Sequence, residues 1–512
     1  MRIPGTRRLA GLLAIAAITA GLAFGQTSTQ STPPAQAPAQ AGQPAIRMTP
    51  EQAKELFASV DTIMRFASDD SKLPIKSKVK RRLTTRDAVE KYLQDKMKDD
   101  KDARRMERSE IVLKKFGMLD EDFHLQPFLV SLLKEQIAGY YDSKTKTVNM
   151  LDWIAPDAQK PVLAHELTHA LQDQHVNLDK WEDQSSDDLS HNVAEDNRHI
   201  STDEQDTARE AVVEGQAMAV LVDYELKPAG RTILSNPDAV KKMADEQGAD
   251  ASSPVLSRAP LVLQESLLFP YREGLKFEVD MLQDKGAPGA FAGVLDRPPA
   301  TSYEIMNPHA YEREAKIPLL TMPDVHGLLD ADYAPYDVGV MGQLDVRMLA
   351  ELFGGQQMAA LITPAWDGGI YYVVQKKSAP DKNATSSIAL LYLSQWKSPE
   401  AAAAFAKMYA GELGQQYSGV VRDTDAETDP SEQIYKTNEG PVMISTQGNL
   451  VFVSESFDLS LARKLQFLMI GAQDGARQNV STARLQPTAN LTGGLVDFLA
   501  NCGMMRAALH LY

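Results

Sequence analysis

A single cysteine, Cys502, stands in a chain of 512 residues. That excludes an intrachain disulfide framework and any cysteine-based zinc or iron–sulfur site, so metal chemistry here falls to His, Asp and Glu. Positive charge is in deficit. Lys and Arg number 53 against 69 Asp and Glu, a formal net charge of −16. A surface this acidic repels nucleic acid and anionic lipid, so no nucleic-acid partner is expected. Long apolar runs are also scarce. The one at the N-terminus, "LAGLLAIAAITAGLAFG", follows "MRIPGTRR" and ends where Ala23 and Gly25 suit a signal-peptidase site. Residues 1–25 read as a cleaved signal peptide, which implies an exported chain, periplasmic or extracellular, with no transmembrane segment after cleavage. Losing Arg2, Arg7 and Arg8 takes the charge from −16 to −19.

What is present is ordinarily globular, 43% hydrophobic and 24% charged, with length for two or three domains. Residues 26–48 are a Pro-, Gln- and Ala-rich linker with almost no large apolar residue, the composition of a disordered tether. Residues 49–120 read as a charged helical segment placed where a propeptide would lie. Within 121–320, a helix over 125–137 leads into "AGYYDSKTKTVNML", a predicted β-hairpin at 138–150. Residues 179–206 are acidic and read as a solvated loop or exposed helices. A very apolar helix follows, "TAREAVVEGQAMAVLVDYEL", then more helix to about 290. "LDRPPATSYEIMNPHAYE" reads as irregular chain crossing the surface. Residues 330–475 form a second α+β unit. It has a helix at 337–353, strands at 369–377, 387–396, 432–437, 441–446 and 449–455, and helices from Ser398 and Asp458. In "PAWDGGIYYVV", Trp366 reads as a buried tryptophan in a turn. Residues 476–512 are a tail with no assigned role. The expected fold class is α+β: a mainly helical domain with a small edge hairpin or sheet, then an α+β domain with an antiparallel sheet.

Chemistry concentrates in "PVLAHELTHALQDQH", residues 161–175. On a helix, His165 and His169 lie at i and i+4, about 40° apart around the axis, so both imidazoles point one way. Glu166 sits beside them, rotated by about 100°. This is the HExxH arrangement, two imidazoles for zinc and a carboxylate as general base. A catalytic zinc needs a third protein ligand. His175 stands where HExxHxxGxxH puts its third histidine, but Gln172 occupies the glycine position, and in a continuing helix His175 faces about 240° away from His169. Glu214 is the stronger candidate. A carboxylate in so apolar a helix needs a strong partner, and Gly215 beside it permits close packing against the motif helix. Glu210, one turn earlier, could orient a ligating histidine. Tyr271, His309 and Tyr311 are candidate oxyanion donors.

"HELTH" followed at a distance by "VEGQA" resembles the gluzincin metallopeptidases, the clan of thermolysin and the zinc aminopeptidases. The resemblance implies a zincin-like peptidase domain that binds one catalytic Zn2+ through His165, His169 and Glu214. Glu166 would be the base that activates water against a peptide or protein substrate. The interval from His169 to Glu214 is longer here, and Val213 stands where the aminopeptidases have Asn. "EQIAGYYDSKTKTVNML", "AHELTHALQDQH", "EGQA" and "RPPATSYEIMNPHAYE" together resemble a group of uncharacterised exported bacterial proteins with a predicted zinc-peptidase domain. Two rivals stay open: a binding protein on a peptidase fold, and a zinc hydrolase of another amide, such as cell-wall peptide.

Overall fold

The computed structural model describes residues 47–89, 91, 100–136, 139–182, 191–246 and 254–473. The expected signal peptide, nearly all of the linker and the 476–512 tail lie outside them. The class is α+β, with a helical half around a three-stranded sheet and a C-terminal half around a seven-stranded one.

Helix α1, Pro50–Ser71, starts on a capping box in which Thr49 and Gln52 satisfy each other's backbone N–H, with Pro50 in the first turn. Its buried residues Leu56, Val60, Ile63, Met64 and Ala67 recur every three or four positions and form one face. Residues 49–120 read as helical from sequence, but a strand interrupts the helices. Pro74 cannot extend a helix, and Lys80–Thr84 becomes strand β1. Helix α2, Asp100–Lys115, and helix α3, Leu125–Gln136, come next. The hairpin is found as expected. Strand β2, Gly139–Asp142, pairs antiparallel with strand β3, Thr147–Leu151, through a turn in which Asp142 Oδ1 accepts from Lys144 and Thr145 N–H. β1 pairs parallel to β3, giving the order β1-β3-β2. The far side of β3 is therefore filled and β2 is an edge.

The motif helix α4, Pro156–Val176, is buried on all sides from Pro161 to Asp173. Helix α5, Val193–Thr202, lies in the acidic segment, and that segment is not merely solvated: Asp196, Asp203, Glu204 and Asp206 are buried. Helix α6, Gln205–Leu226, carries Glu214. Helix α7, Pro237–Glu246, and helix α8, Leu261–Pro288, complete the bundle, and a π-helical turn, Gly289–Gly293, follows. The Pro-punctuated stretch after it forms short helices whose Leu295, Ser302, Ile305 and Tyr311 are buried, so it is anchored in the core rather than laid over the surface.

The larger sheet runs in the order β4-β5-β6-β10-β9-β8-β7, every pair antiparallel. Its strands are β4 Tyr333–Val340, β5 Trp366–Lys376, β6 Ile388–Trp396, β7 Val421–Arg422, β8 Glu432–Thr437, β9 Gly440–Gln447 and β10 Leu450–Glu455. The helix expected at 337–353 is corrected by β4. The chain there pairs antiparallel with β5, and helix α9 spans Gln343–Ile362. Helix α10, Pro399–Gln416, and helix α11, Leu459–Gly471, close the unit. Trp366 is fully buried, at the start of β5 beside a bulge, and its Nε1 donates to Met341 O.

Period-2 alternation divides this sheet between two cores. Tyr371, Val373, Leu390, Tyr392, Ile444 and Val453 join the apolar cluster of the helical half, while Ile370, Tyr372, Leu391, Leu393, Met443 and Phe452 pack with α11 and residues 319–329. Described residues within 49–120 join the shared core: Phe116 meets Tyr371 and Tyr392 edge-on, and the buried Lys115 ammonium pairs with Glu439 at 2.6 Å. Among the described residues no helix is long and apolar enough to cross a membrane.

Candidate metal centre

Three helices and one strand converge on the HExxH segment. α4 presents His165 and His169 on one face, with Nε2 atoms 2.9 Å apart. α6 brings Glu214, whose Oε2 lies 3.1 Å from His165 Nε2 and 3.5 Å from His169 Nε2. Tetrahedral ligands about 2.05 Å from a zinc ion stand about 3.3 Å from one another. The donor set of two imidazole nitrogens and one carboxylate oxygen, at 2.9–3.5 Å and buried, therefore fits zinc in chemistry and in spacing.

Close approach of α6 to α8 sets the depth of Glu214. A Cβ on Gly215 would fall inside the carbonyl of Gly274 and 2.9 Å from its Cα. Gly215 thus closes against α8, not against the motif helix as the sequence suggests. α8 in turn delivers Tyr271, fully buried, whose ring lies 6.4 Å from that of His165 in a near-stacked orientation. Burial, then the charges of Glu214 and Glu210, with the Glu214 carboxylate in hydrogen-bonding reach, push the Tyr271 hydroxyl well above the usual phenol range.

Glu166 is completely buried. Its Oε2 accepts the Tyr141 N–H of β2 at 2.8 Å, and its Oε1 has no partner. Burial lifts this carboxyl to about 8, His169 opposing and Glu214 adding to the shift. The same strand is pinned at a second point, where Tyr141 OH donates to Asp173 Oδ2 at 2.7 Å and Lys146 pairs with that oxygen at 2.7 Å. Burial pulls His165 down to about 4, helped by the neighbouring His169. Burial also opposes charge on His169, but the carboxylates of Glu214 and Glu166 overcome it and hold the ring near 9. Glu214 would be raised by burial, and the two imidazoles reverse this to well below the carboxylate range. The cluster thus favours positive charge between its donors.

His165, Glu166, His169, Glu214 and Tyr271 are brought together. Four other candidates are placed differently. α4 runs on through Gln172 without a turn, so His175 lies in its last turn with Nε2 2.9 Å from Asp296 Oδ1. His309 is exposed and faces Glu312 at 3.2 Å, in a surface group with Asp284. Tyr311 donates its hydroxyl to Arg297 O at 2.6 Å and lies under the Arg297 and Lys285 cations. Glu210 is buried, but neither histidine gives it a ring nitrogen. No hydrogen bond joins His165 Nδ1 to it, and His169 Nδ1 faces Gln172 Oε1 at 2.9 Å. Sequence reasoning meets Gln172 only as the residue in the glycine position, and passes over its partner Gln216. The signal available was Gln216 itself, an amide amid Ala, Met and Val in "VEGQAMAVLV". The Tyr141 amide left no signal, because any residue supplies a backbone N–H.

No family model, curated protein or solved structure matches this chain.

Proposed function

We propose that the chain is an exported zinc metallopeptidase that hydrolyses peptide bonds, with His165, His169 and Glu214 as ligands and Glu166 as general base. One observation carries the reading: three buried donor atoms from two helices lie 2.9–3.5 Å apart, beside a buried carboxylate with one oxygen tethered and the other free. A binding protein has no use for that free oxygen. Zinc held there would supply Lewis acidity, polarising the scissile carbonyl and acidifying a water.

The chain's own groups do the rest. The Tyr141 amide holds Glu166 Oε2, so Oε1 is aimed for proton transfer. It takes the proton of the attacking water and passes it to the leaving amine nitrogen. The buried Tyr271 hydroxyl, beside Glu214 and the His165 ring, is a donor for the oxyanion as the carbonyl becomes tetrahedral. β2 is an edge that runs past Glu166, and an extended peptide can add to it by backbone hydrogen bonding. Export rests on the N-terminal apolar run and its small-residue boundary.

Digestion of a peptide library by the zinc-loaded protein and by Glu166→Gln tests the proposal. Turnover by the native protein and none by the variant, with zinc retained in both, is expected. A variant that still turns over removes the base assignment.

A further inference from the structure

His169 can serve as an Nε2 ligand only if its proton sits on Nδ1. The orientation of Gln172 decides this. Its Nε2 lies 3.0 Å from Val213 O and 2.9 Å from Gln216 Oε1, two acceptors, so the amide nitrogen belongs there. Its Oε1 then faces His169 Nδ1 at 2.9 Å, and a carbonyl oxygen can only accept. Gln216 repeats the pattern one step further. Its Oε1 accepts from Gln172, and its Nε2 donates to Ala290 O at 3.0 Å and Phe291 O at 3.1 Å. Those carbonyls belong to the π-helical turn Gly289–Gly293. Both glutamines are fully buried.

We propose that Gln172 and Gln216 form a two-amide relay that positions the metal site: it holds His169 in the Nδ1–H tautomer and ties the spacing of His169 and Glu214 to the Gly289–Gly293 turn. The proposal rests on the zinc reading above. Both glutamines touch ligand-bearing helices, and neither is a ligand. Gln172 lies one turn beyond His169 on α4, and Gln216 two residues beyond Glu214 on α6. Sliding either helix against the other breaks the Gln172 bonds to Val213 O and Gln216. Every polar atom of the pair has a partner, which makes such a buried network rigid. Irregular π turns inside helical regions recur at functional sites, and here the turn supplies the outer anchor.

Zinc affinity by chelator competition on native protein, Gln172→Met and Gln216→Met tests this, with circular dichroism melts as the folding control. Methionine nearly matches glutamine in volume, so the core stays filled. Gln172→Met should bind zinc about 10- to 100-fold more weakly. Gln216→Met, whose glutamine side chain bonds Gln172, Ala290 O and Phe291 O rather than a ligand, should lose about 10-fold, transmitted through Gln172. In the cobalt(II)-loaded native protein the His169 Nδ1 proton should exchange slowly with solvent, and in Gln172→Met rapidly, a difference that a merely structural role does not produce. If Gln172→Met does not fold, Gln216→Met carries the test. Native affinity in a folded variant set overturns the relay alone. No zinc in the native protein overturns the metallopeptidase reading and the relay with it.

Discussion

Gly215→Ala should loosen the metal site without touching a ligand. The new methyl carbon would overlap the Gly274 carbonyl and stand 2.9 Å from Gly274 Cα, a backbone contact that no rotamer change relieves. The reciprocal position is equally tight, since a Cβ on Gly274 would overlap Ala211 O and lie 3.2 Å from Gly215 N. α6 and α8 must therefore part by on the order of 1 Å to reach ordinary contact. Overpacking of this kind costs about 1–3 kcal/mol. Glu214 is the preceding residue, and metal ligands tolerate only about 0.2 Å of error. Urea unfolding should show stability lower by about 2 kcal/mol, and chelator competition should show zinc bound at least about 10-fold more weakly. Gly411→Ala is the control. It lies within α10 with nothing near its missing Cβ, so it should stabilise by about 0.5–1 kcal/mol and leave zinc affinity alone. Native-like stability and zinc affinity in Gly215→Ala would refute the claim that this glycine pair sets the depth of Glu214.

His175→Ala should leave zinc content unchanged, because His175 is paired with Asp296 at the far end of α4. Loss of zinc in that variant would return the third ligand to the histidine pattern. Glu204→Gln should change how stability depends on pH. Burial raises the Glu204 carboxyl from 4.5 to about 7, with Ser302 opposing. A raised folded-state pKa means that the native state holds its proton more tightly, so this contribution is full below about 4.5 and is lost as pH rises to about 7. The variant should gain on the native protein across that window, by at most about 3 kcal/mol at pH 8. Parallel stability curves from pH 4 to pH 8 would contradict it.

The proposed ligand pair and base were legible in the sequence because HExxH is a local pattern on one helix, where spacing alone sets direction. Glu214 was legible for a different reason, as a carboxylate in an apolar helix that needed a partner. The hairpin and most of the C-terminal strands followed from alternation and turn residues. What escaped was set by distant chain. Lys80–Thr84 is a strand because β3 offers a free edge, and Tyr333–Val340 because β5 does. Asp203 and Glu204 look solvated in an acidic run. They are buried because Val340 N–H donates to the first and the Ser302 hydroxyl to the second. His309 and Tyr311 follow a stretch dense in proline, and their distance from the metal centre depends on how that stretch folds back on α8.

The most direct test of the account is zinc content by elemental analysis of the purified protein beside Glu214→Ala, each reloaded and then dialysed. The account predicts one zinc per native chain and far less in the variant. A native chain that takes up no zinc, or a Glu214→Ala chain that holds as much as the native one, would contradict it.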